Sequence, residues 1–326
     1  MLPETMKTIE MREPGAPAVL EIGERELPSP KAHEVLIKVA AAGVNGPDIM
    51  QRRGLYPPPK DASDLMGLEV SGSVASVGAD VTNWSRGDTL CALTNGGGYA
   101  EYVAVDKGHC LPIPDDMNFI DSAGLCETFF TVWSNLFLDH DVPGDSVLLV
   151  HGGAGGIGST AIQLGNALGL RVLATCSAED KDYVISLGAK RAIDYKSEDY
   201  VSIAREEGGA NLILDIVGGD YIPRNIKASA ADGRIVQLAF RAGSKMELDL
   251  MPIMLKRLTF TGSTLRSRPS TFKSRVAADL AKRVWPLLSK GDMGTHTHSI
   301  FPFEKAAAAH QMMEDGAHRG KIILTP

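Results

Sequence analysis

The stretch VLLVHGGAGGIGS, residues 147–159, decides the fold. An apolar run that is typical of a buried strand leads directly into a glycine-rich turn, and the helix-prone segment 160–170 follows. Gly153, Gly155 and Gly158 match the spacing G-x-G-x-x-G, whose glycines allow a tight turn, close approach of the backbone to a pyrophosphate, and packing of helix against strand. Free N–H groups in the first turn of the helix would face the phosphates. We therefore predict a dinucleotide site formed by Gly153, Ala154, Gly155, Gly156, Ile157 and Gly158.

Short apolar segments alternate with helix-prone segments in the residues that follow this loop. The apolar segments are 170–175, 192–195, 211–217 and 234–238. Alternation of this kind favours an α/β fold with a doubly wound parallel sheet.

The end of the second apolar segment bears on the choice of nicotinamide cofactor. An acidic residue at this point usually binds the ribose 2′-hydroxyl of NAD, whereas this chain has Thr175-Cys176-Ser177-Ala178. The small Ser177 leaves room for a 2′-phosphate, and Lys181 could supply the opposing charge. The alternative is that Lys181 is a solvated helix lysine, and the nearby acids Glu179 and Asp180 weaken the argument for a basic pocket. We predict NADPH as the cofactor, with NADH as the alternative.

The composition of the whole chain excludes several classes of function. A length of 326 residues favours two domains, and contents of 44% hydrophobic and 22% charged residues are those of a globular protein. The net charge of −7 argues against a general nucleic-acid or anionic-membrane surface. The N-terminal residues lack a signal-peptide pattern, and no stretch approaches the roughly 20 apolar residues of a membrane helix. We expect a cytoplasmic protein with a small-molecule substrate.

The segments outside the middle of the chain predict a second domain of a different kind. The first 125 residues contain short β segments punctuated by Gly and Pro, which favours a compact barrel-like domain. Segments 121–138, 274–289 and 303–314 are predicted to be helical. Segments 89–93 and 321–324 are predicted strands, and we place strand 321–324 back in the first domain. The four cysteines are widely spaced with no C-x-x-C pair, so they suggest neither a disulfide framework nor a zinc ribbon.

Several segments carry a resemblance to a known family over nearly the whole chain. They are 43–56 (GVNGPDIMQRRGLY), 67–72 (GLEVSG), 87–88 (GD), 97–102 (GGYAEY), 127–133 (ETFFTVW), the glycine loop, and 320–324 (GKIIL). Together they resemble the medium-chain dehydrogenase/reductase family in its zinc-free quinone oxidoreductase branch. Segments 51–59 and 265–268 are most similar to the tumour-suppressor-inducible quinone oxidoreductase group.

This resemblance implies a domain organisation and an assembly. Residues 1–125 and 265–326 would form a GroES-like catalytic domain, and residues 126–264 an inserted Rossmann domain, with the active site in the cleft. The resemblance also implies a homodimer joined through the Rossmann sheets, for which Leu258-Thr259-Phe260-Thr261 is the candidate edge strand.

The departures from zinc-dependent relatives bear on metal content. This chain has Asn45 where those relatives carry a ligand cysteine, and Gly67-Leu68-Glu69 where they carry Gly-His-Glu. Asn and Leu cannot replace a thiolate and an imidazole as zinc ligands. We therefore expect no catalytic zinc, and the resemblance implies that no flavin is required.

The resemblance also assigns individual residues. Asn45, Asp48 and Tyr56 fall beside the nicotinamide and are our catalytic candidates. Each has a plain alternative, because Asn45 could cap a turn, Asp48 could stabilise a helix N-terminus, and Tyr56 could simply pack.

The same resemblance implies which residues contact the cofactor. Thr131 should hydrogen-bond near the nicotinamide carboxamide, Tyr195 should stack on the adenine, and Phe240 should lie near the nicotinamide ribose. The resemblance also implies that Lys321 or Arg319 lies near the cofactor cleft. The plain alternatives are that Phe240 only packs after a buried strand and that Arg319 is only a surface charge.

The resulting hypothesis is an NADPH:quinone oxidoreductase that works without zinc. Quinones accept hydride directly, whereas alcohol oxidation needs a Lewis acid to stabilise an alkoxide. Reduction of an activated C=C bond in an enone or acrylate is the alternative, and the sequence does not separate the two. A non-catalytic structural or RNA-binding role is disfavoured by the intact glycine loop and the negative net charge.

Overall fold

The computed structural model describes residues 2–326, which form two compact units. The first unit extends to Phe130 and resumes at Arg266, and the second unit is Thr131–Leu265. The sequence places these boundaries at 125/126 and 264/265.

The strands and helices have the following bounds. The strands are, in chain order, β1 (Thr5–Met11), β2 (Leu20–Glu26), β3 (Glu34–Val44), β4 (Glu69–Val77), β5 (Thr89–Leu93), β6 (Tyr102–Asp106), β7 (Cys110–Pro112), β8 (Val147–His151), β9 (Arg171–Cys176), β10 (Arg191–Asp194), β11 (Ala210–Asp215), β12 (Ser229–Gln237), β13 (Thr259–Gly262), β14 (Thr297–Pro302) and β15 (Lys321–Thr325). The α-helices are α1 (Gly46–Arg52), α2 (Phe119–Ser122), α3 (Cys126–Leu136), α4 (Gly156–Ala167), α5 (Lys181–Ser186), α6 (Tyr200–Glu206), α7 (Tyr221–Ala228), α8 (Met251–Lys256), α9 (Ser270–Arg283), α10 (Trp285–Ser289) and α11 (Ala306–Asp315).

The second unit is built on a six-stranded sheet in the order β10-β9-β8-β11-β12-β13. Every neighbouring pair is parallel, which confirms the doubly wound sheet. All five residues of β8 are buried, as expected for a strand covered by helices on both faces. The strand order reverses between β8 and β11, so the carboxyl ends of these two strands flank the crevice where such sheets bind ligands.

The first unit contains a seven-stranded sheet and the separate hairpin β1–β2. The path through the larger sheet is β14-β15-β3-β4-β5-β7, with β6 also paired to β3. Strand β15 is antiparallel to β3 and parallel to β14. The strand predicted at 321–324 therefore does return to the first unit.

Three predicted helices are interrupted in the structure. The predicted helix 121–138 is split into α2 and α3 around Gly124, where a Cβ atom would lie 2.9 Å from the side chain of Lys321. The predicted helix 274–289 ends at Arg283 and resumes at Trp285, because Pro286 has no N–H group and fits only at a helix start. The predicted helix 303–314 begins with a 3-10 turn, Phe303–Lys305.

Two further features concern residues 2–326 as a whole. No helix among them has both the length and the apolar composition needed to span a bilayer. Cys91, Cys110, Cys126 and Cys176 are all buried with free thiols.

Candidate functional site

The glycine loop follows β8 and ends in α4. The positive φ of its tight turn is at Gly152, at +77°, one residue before the first glycine of the motif. A Cβ atom on Gly158 would lie 2.1 Å from the carbonyl oxygen of Gly152, so this glycine is required for helix–strand packing. The nearest atom to a Cβ atom on Gly155 would be the Gly152 carbonyl oxygen at 3.8 Å, which leaves open space beside the backbone. Gly156 is the first residue of α4, so the loop presents the free N–H groups of a helix start.

The residues that are predicted to lie at the 2′-phosphate of the cofactor, Ser177 and Lys181, follow β9. The Ser177 hydroxyl donates to Asp180 Oδ2 at 2.8 Å. The Lys181 ammonium donates to Glu198 Oε2 at 2.5 Å, and Arg191 donates to the other oxygen of Glu198 at 2.9 Å. The hydrogen bond from Lys181 is the main reason that the pKa of Glu198 falls to about 2. Lys181 is therefore an ion-paired residue and not a freely solvated lysine, and a 2′-phosphate would have to compete with Glu198 for it.

Three other predicted cofactor residues also belong to the second unit. Tyr195 follows β10 and Phe240 lies three residues after β12, with 46% and 48% of their surfaces exposed. Because the strands are parallel, both rings lie toward the carboxyl edge of the sheet, where the glycine loop also lies. The Thr131 hydroxyl is buried and has no hydrogen-bond partner, so it retains a donor and an acceptor for a ligand.

Asp48 lies in the first turn of α1 in the first unit. Its carboxylate accepts the backbone N–H groups of Asn45 and Gly67, both at 2.9 Å, and it is fully buried. Burial outweighs these hydrogen bonds and raises the pKa of Asp48 to about 6. Both oxygens are thus engaged with the backbone, and the residue fixes the position of Asn45.

Asn45 belongs to a buried polar cluster with a charged pair. Lys321 Nζ lies 2.6 Å from Glu69 Oε1 and donates to Asn45 Oδ1 at 2.7 Å. Asn45 Nδ2 donates to the same oxygen of Glu69 at 2.9 Å and to the Gly43 carbonyl at 3.3 Å. The amide of Asn45 is therefore engaged at both ends. We call Asn45, Glu69 and Lys321 the buried triad.

The predicted cofactor role of the two basic residues near the end of the chain remains a prediction. Lys321 is 3% exposed and takes part in the buried triad, so it acts on Asn45 in this structure. Arg319 lies just before β15 and is partly exposed.

Tyr56 is the catalytic candidate with an accessible side chain. It is half-buried, and its ring centroid lies 5.8 Å from the Arg266 guanidinium. Arg266 donates to Gln51 Oε1 at 2.6 Å and to the Asn95 carbonyl. Burial raises the pKa of Tyr56, and the charge of Glu127 adds to the effect.

Glu127 and Lys273 complete this part of the first unit, and sequence reasoning assigned a role to neither. Burial is the first cause that raises the pKa of Glu127 to about 8, and the charge of Glu69 is the second. Lys273 is 2% exposed and donates to Asn95 Oδ1 at 3.0 Å, and burial lowers its pKa to about 8. One sequence feature could have drawn attention to Glu127, namely a charged residue in the otherwise apolar segment ETFFTVW at 127–133.

The buried triad is a poor fit for zinc. A zinc site needs thiolate, imidazole or carboxylate ligands that are free to bind it, and residues 2–326 contain no group of three or more such side chains. The ammonium of Lys321 already lies against Glu69 and Asn45, where it would repel a second cation.

The chain matches two described families. Residues 31–115 match "Alcohol dehydrogenase GroES-like domain", and residues 187–324 match "Zinc-binding dehydrogenase". The mouse quinone oxidoreductase is 30% identical over 328 residues, which span 98% of this chain and 97% of the mouse protein.

Solved structures agree with these sequence matches. A mycobacterial protein complexed with NADPH has a TM-score of 0.86 at 28% identity, and covers 98% of this chain and 100% of its own. An NAD-dependent alcohol dehydrogenase has a TM-score of 0.85 at 28% identity with the same coverage. The chain therefore belongs to the medium-chain dehydrogenase/reductase family, with a GroES-like domain and a Rossmann domain, and is an oxidoreductase. Within that family, it is similar over its full length to the quinone oxidoreductases.

Proposed function

We propose that this protein is a zinc-independent, NADPH-dependent oxidoreductase that transfers hydride to a quinone. The observation that carries the proposal is the ammonium of Lys321, which lies 2.6 Å from Glu69 and 2.7 Å from Asn45. A fixed cation in the buried triad would repel a metal ion at this point, which supports zinc independence. Without a Lewis acid, alkoxide formation from an alcohol loses its main source of stabilisation, whereas an electron-poor quinone still accepts hydride.

The residues of the second unit would hold the cofactor. Bound NADPH supplies the hydride from its nicotinamide ring. The backbone N–H groups at the start of α4 would bind the pyrophosphate, and Lys181 would pair with the 2′-phosphate. Tyr195 would stack on the adenine, and the unpaired hydroxyl of Thr131 would hydrogen-bond near the carboxamide.

The residues of the first unit would act on the acceptor. Tyr56 and Arg266 lie together, and a phenol beside a guanidinium can stabilise negative charge that develops on an acceptor oxygen. Asn45 and Asp48 would act as positioning residues, because their polar atoms are engaged with the backbone and the buried triad.

The alternative acceptor is an activated carbon–carbon double bond in an enone or acrylate. It requires the same hydride, and the negative charge also develops on a carbonyl oxygen. The similarity to quinone oxidoreductases favours the quinone.

The test is cofactor consumption by chelator-treated protein. NADPH and NADH are each assayed with two quinones and one enone, and NADP⁺ is assayed with a primary alcohol. Quinone-dependent NADPH oxidation that survives chelation supports the proposal, and faster enone turnover favours the alternative. Chelator-sensitive alcohol oxidation would contradict zinc independence.

The proposed assembly is a homodimer joined through β13. This strand is at the edge of the six-stranded sheet, so one side of its backbone lacks a strand partner within the chain. Phe260 on β13 is 44% exposed. Helix α8 adds Met251, Met254 and Leu255, which are 61%, 68% and 64% exposed. Exposed apolar side chains and an open strand edge are each typical of a surface that a partner covers, and we propose a second copy of the chain.

A further inference from the structure

We propose that Asp215 and Asn225 are positioning residues for the dinucleotide, because they connect the two loops that flank its crevice. The inference rests on the proposed function, since it concerns how the second unit binds NADPH. One of these loops is the glycine loop after β8. The other follows β11 and comprises residues 216–219, which we call the β11 loop. The strand order reverses between β8 and β11, so both loops border the crevice.

The β11 loop lies against two parts of the predicted cofactor site. A Cβ atom on Gly152 would lie 2.8 Å from Ile216 Cδ1, so the turn of the glycine loop packs directly on the β11 loop. A Cβ atom on Gly218 would lie 2.8 Å from Phe240 Cδ1, so the Phe240 ring packs on the same loop. A displacement of the β11 loop therefore moves the groups proposed to hold the pyrophosphate and the nicotinamide ribose.

A chain of buried side chains also connects the two loops. The Thr175 hydroxyl accepts the backbone N–H of Gly152 at 3.3 Å and lies 3.1 Å from His151 Nδ1. His151 Nε2 lies 2.8 Å from Asn225 Oδ1, and Asn225 Nδ2 donates to Asp215 Oδ2 at 2.8 Å. The side-chain members of this chain are at most 1% exposed. They therefore form a hydrogen-bonded link that water does not reach.

The last member of the chain holds the β11 loop. Asp215 is the final residue of β11, and its Oδ1 accepts the backbone N–H of Val217 at 2.6 Å and that of Gly218 at 3.0 Å. Its other oxygen is the one that binds Asn225. Asn225 on α7 thus joins the carboxylate that fixes the β11 loop to the imidazole at the end of β8.

The direction of each hydrogen bond in the chain follows from its chemistry. A carboxylate only accepts, so the amide nitrogen of Asn225 faces Asp215 and its oxygen faces His151. Burial lowers the pKa of His151, so the imidazole is neutral and has one donor and one acceptor. Nε2 therefore donates to Asn225, and Nδ1 accepts from the Thr175 hydroxyl. Every donor meets an acceptor, and a fully satisfied buried network resists rearrangement.

This network bears on one half of the cofactor and not on the other. Loops that are already in place reduce the entropic cost of binding the pyrophosphate and the nicotinamide ribose. The residues proposed for the 2′-phosphate and the adenine, Ser177, Lys181 and Tyr195, follow β9 and β10 instead. Loss of the network should therefore weaken NADPH binding and spare binding of the adenosine 2′-phosphate portion.

The test exchanges the two linked side chains. Asp215→Asn alone sets two amide donors against each other, and Asn225→Asp alone sets two carboxylates against each other. The double variant Asp215→Asn/Asn225→Asp restores every pairing, because the new Asn oxygen still accepts from the β11 loop and the new carboxylate still accepts from His151.

Two ligands are compared in each variant. NADPH is titrated by fluorescence, and adenosine 2′-monophosphate, which lacks the pyrophosphate and the nicotinamide, by calorimetry. In each single variant we expect Kd for NADPH to rise about 30-fold and Kd for adenosine 2′-monophosphate by less than about twofold. In the double variant Kd for NADPH should return to within about threefold of the wild type.

Asn211→Asp is the matched control. Asn211 begins on the same strand as Asp215 but at its opposite end, where the side chain is exposed and its oxygen accepts the backbone N–H of Val147 at 2.8 Å. The substitution is the same as at position 225 and keeps this acceptor. Kd for each ligand should stay within about twofold of the wild type.

A second variant tests the other end of the chain. Thr175→Val removes one hydroxyl, introduces no charge and changes the side-chain shape little, so it remains informative if a charge change at 215 or 225 prevents folding. We expect Kd for NADPH to rise about fivefold in Thr175→Val and to stay within about twofold of the wild type in Thr175→Ser. Circular dichroism verifies that each variant is folded.

The possible failures can be told apart. Equal losses for NADPH and adenosine 2′-monophosphate would show a general effect on the fold and would overturn the positioning role. A double variant that binds NADPH no better than the single variants would also overturn it, as would normal NADPH binding in Thr175→Val. A wild-type protein that binds neither ligand would overturn the proposed function, and the positioning role with it.

Discussion

At the scale of single residues, the ammonium of Lys321 connects three strands of the first unit. It lies on β15, pairs with Glu69 on β4, and donates to Asn45 directly after β3. Its removal would leave the carboxylate of Glu69 buried without a counterion, which is the costly way to break a buried pair.

We therefore expect Lys321→Met to lower the free energy of unfolding by about 3–5 kcal/mol in urea titrations. The double variant Lys321→Met/Glu69→Gln should recover a substantial part of the loss, because the buried charge is then absent. The exposed pair of Lys7 with Glu304 is the matched control, and Lys7→Met should leave the free energy of unfolding nearly unchanged. If Lys321→Met and Lys7→Met lowered the free energy of unfolding by similar amounts, Glu69 would not be strongly desolvated.

The raised pKa of Glu127 predicts a pH-dependent stability. Its folded pKa of about 8 exceeds the usual value, so the stabilising contribution is complete below the unfolded pKa and is lost as pH rises through 8. The Tm of Glu127→Gln relative to wild type should therefore rise between pH 6.5 and 9 by at least about 2 °C in thermal unfolding scans. Glu304→Gln is the control, because the pKa of Glu304 is lowered by its hydrogen bond with Lys7 and the group stays charged across this range. A difference in Tm between Glu127→Gln and wild type that does not change with pH would contradict the raised pKa of Glu127.

The ion pair of Lys181 with Glu198 predicts opposite effects on cofactor choice. Lys181→Ala should raise KM for NADPH about tenfold with little change for NADH, since only NADPH carries the 2′-phosphate. Glu198→Gln should lower KM for NADPH, because it releases Lys181 from its carboxylate partner. Steady-state kinetics with both cofactors would measure this, and equal effects on NADPH and NADH would exclude a 2′-phosphate contact.

At the scale of single elements, the loop between β8 and α4 offers a pair of glycines with different roles. Gly158→Ala places a Cβ atom 2.1 Å from the Gly152 carbonyl oxygen, so α4 must shift from β8. Gly155→Ala meets nothing closer than 3.8 Å in the protein, but it occupies the space proposed for the pyrophosphate.

We expect Gly155→Ala to retain the wild-type Tm without cofactor and to weaken dinucleotide binding at least about tenfold in fluorescence titrations. Gly158→Ala should lose both Tm and binding. Normal NADPH affinity in a well-folded Gly155→Ala protein would place the pyrophosphate elsewhere.

Element types were predictable from the sequence to a large extent, because apolar periodicity reflects burial. Strand 89–93 has the predicted bounds, and β8, β9 and β11 lie within two residues of theirs. The helix breaks near Gly124 and Pro286 were missed, because periodicity continues across both residues. The left-handed residue of the turn is Gly152, which lies outside the motif, because the motif spacing fixes a pattern and not a dihedral angle.

Prediction of the candidate site was less complete than prediction of the fold. The sequence singled out Asn45 and Asp48 as candidates, but the ion pair of Glu69 with Lys321 joins positions far apart in the sequence. No local pattern encodes such a contact. The same holds for Lys273 and Arg266, which follow the second unit in the chain and yet pack beside Asn95.

At the scale of the whole molecule, the exposed edge of the second unit predicts the oligomeric state. Phe260→Asp would place a charge on β13, and Met254→Asp would place one on α8. We expect either variant to shift a homodimer towards monomer in light scattering coupled to gel filtration. Ile185→Asp on α5 is the control, since its side chain is 46% exposed but does not belong to β13 or α8. A monomeric wild type would contradict the proposed assembly.

The position of β15 has a consequence for synthesis on the ribosome. Lys321 donates to the carbonyl of Val44, a residue 277 positions earlier in the chain. The second unit is continuous in sequence and needs only its own residues for its sheet, so it can fold while the chain is still being translated. Until β15 has been synthesised, Glu69 in the first unit lacks its counterion Lys321, and residues 42–44 of β3 lack the strand that pairs with them. A nascent chain at this stage is the form most exposed to aggregation and to chaperones, and arrival of the last strand delivers both the missing hydrogen bonds and the missing positive charge.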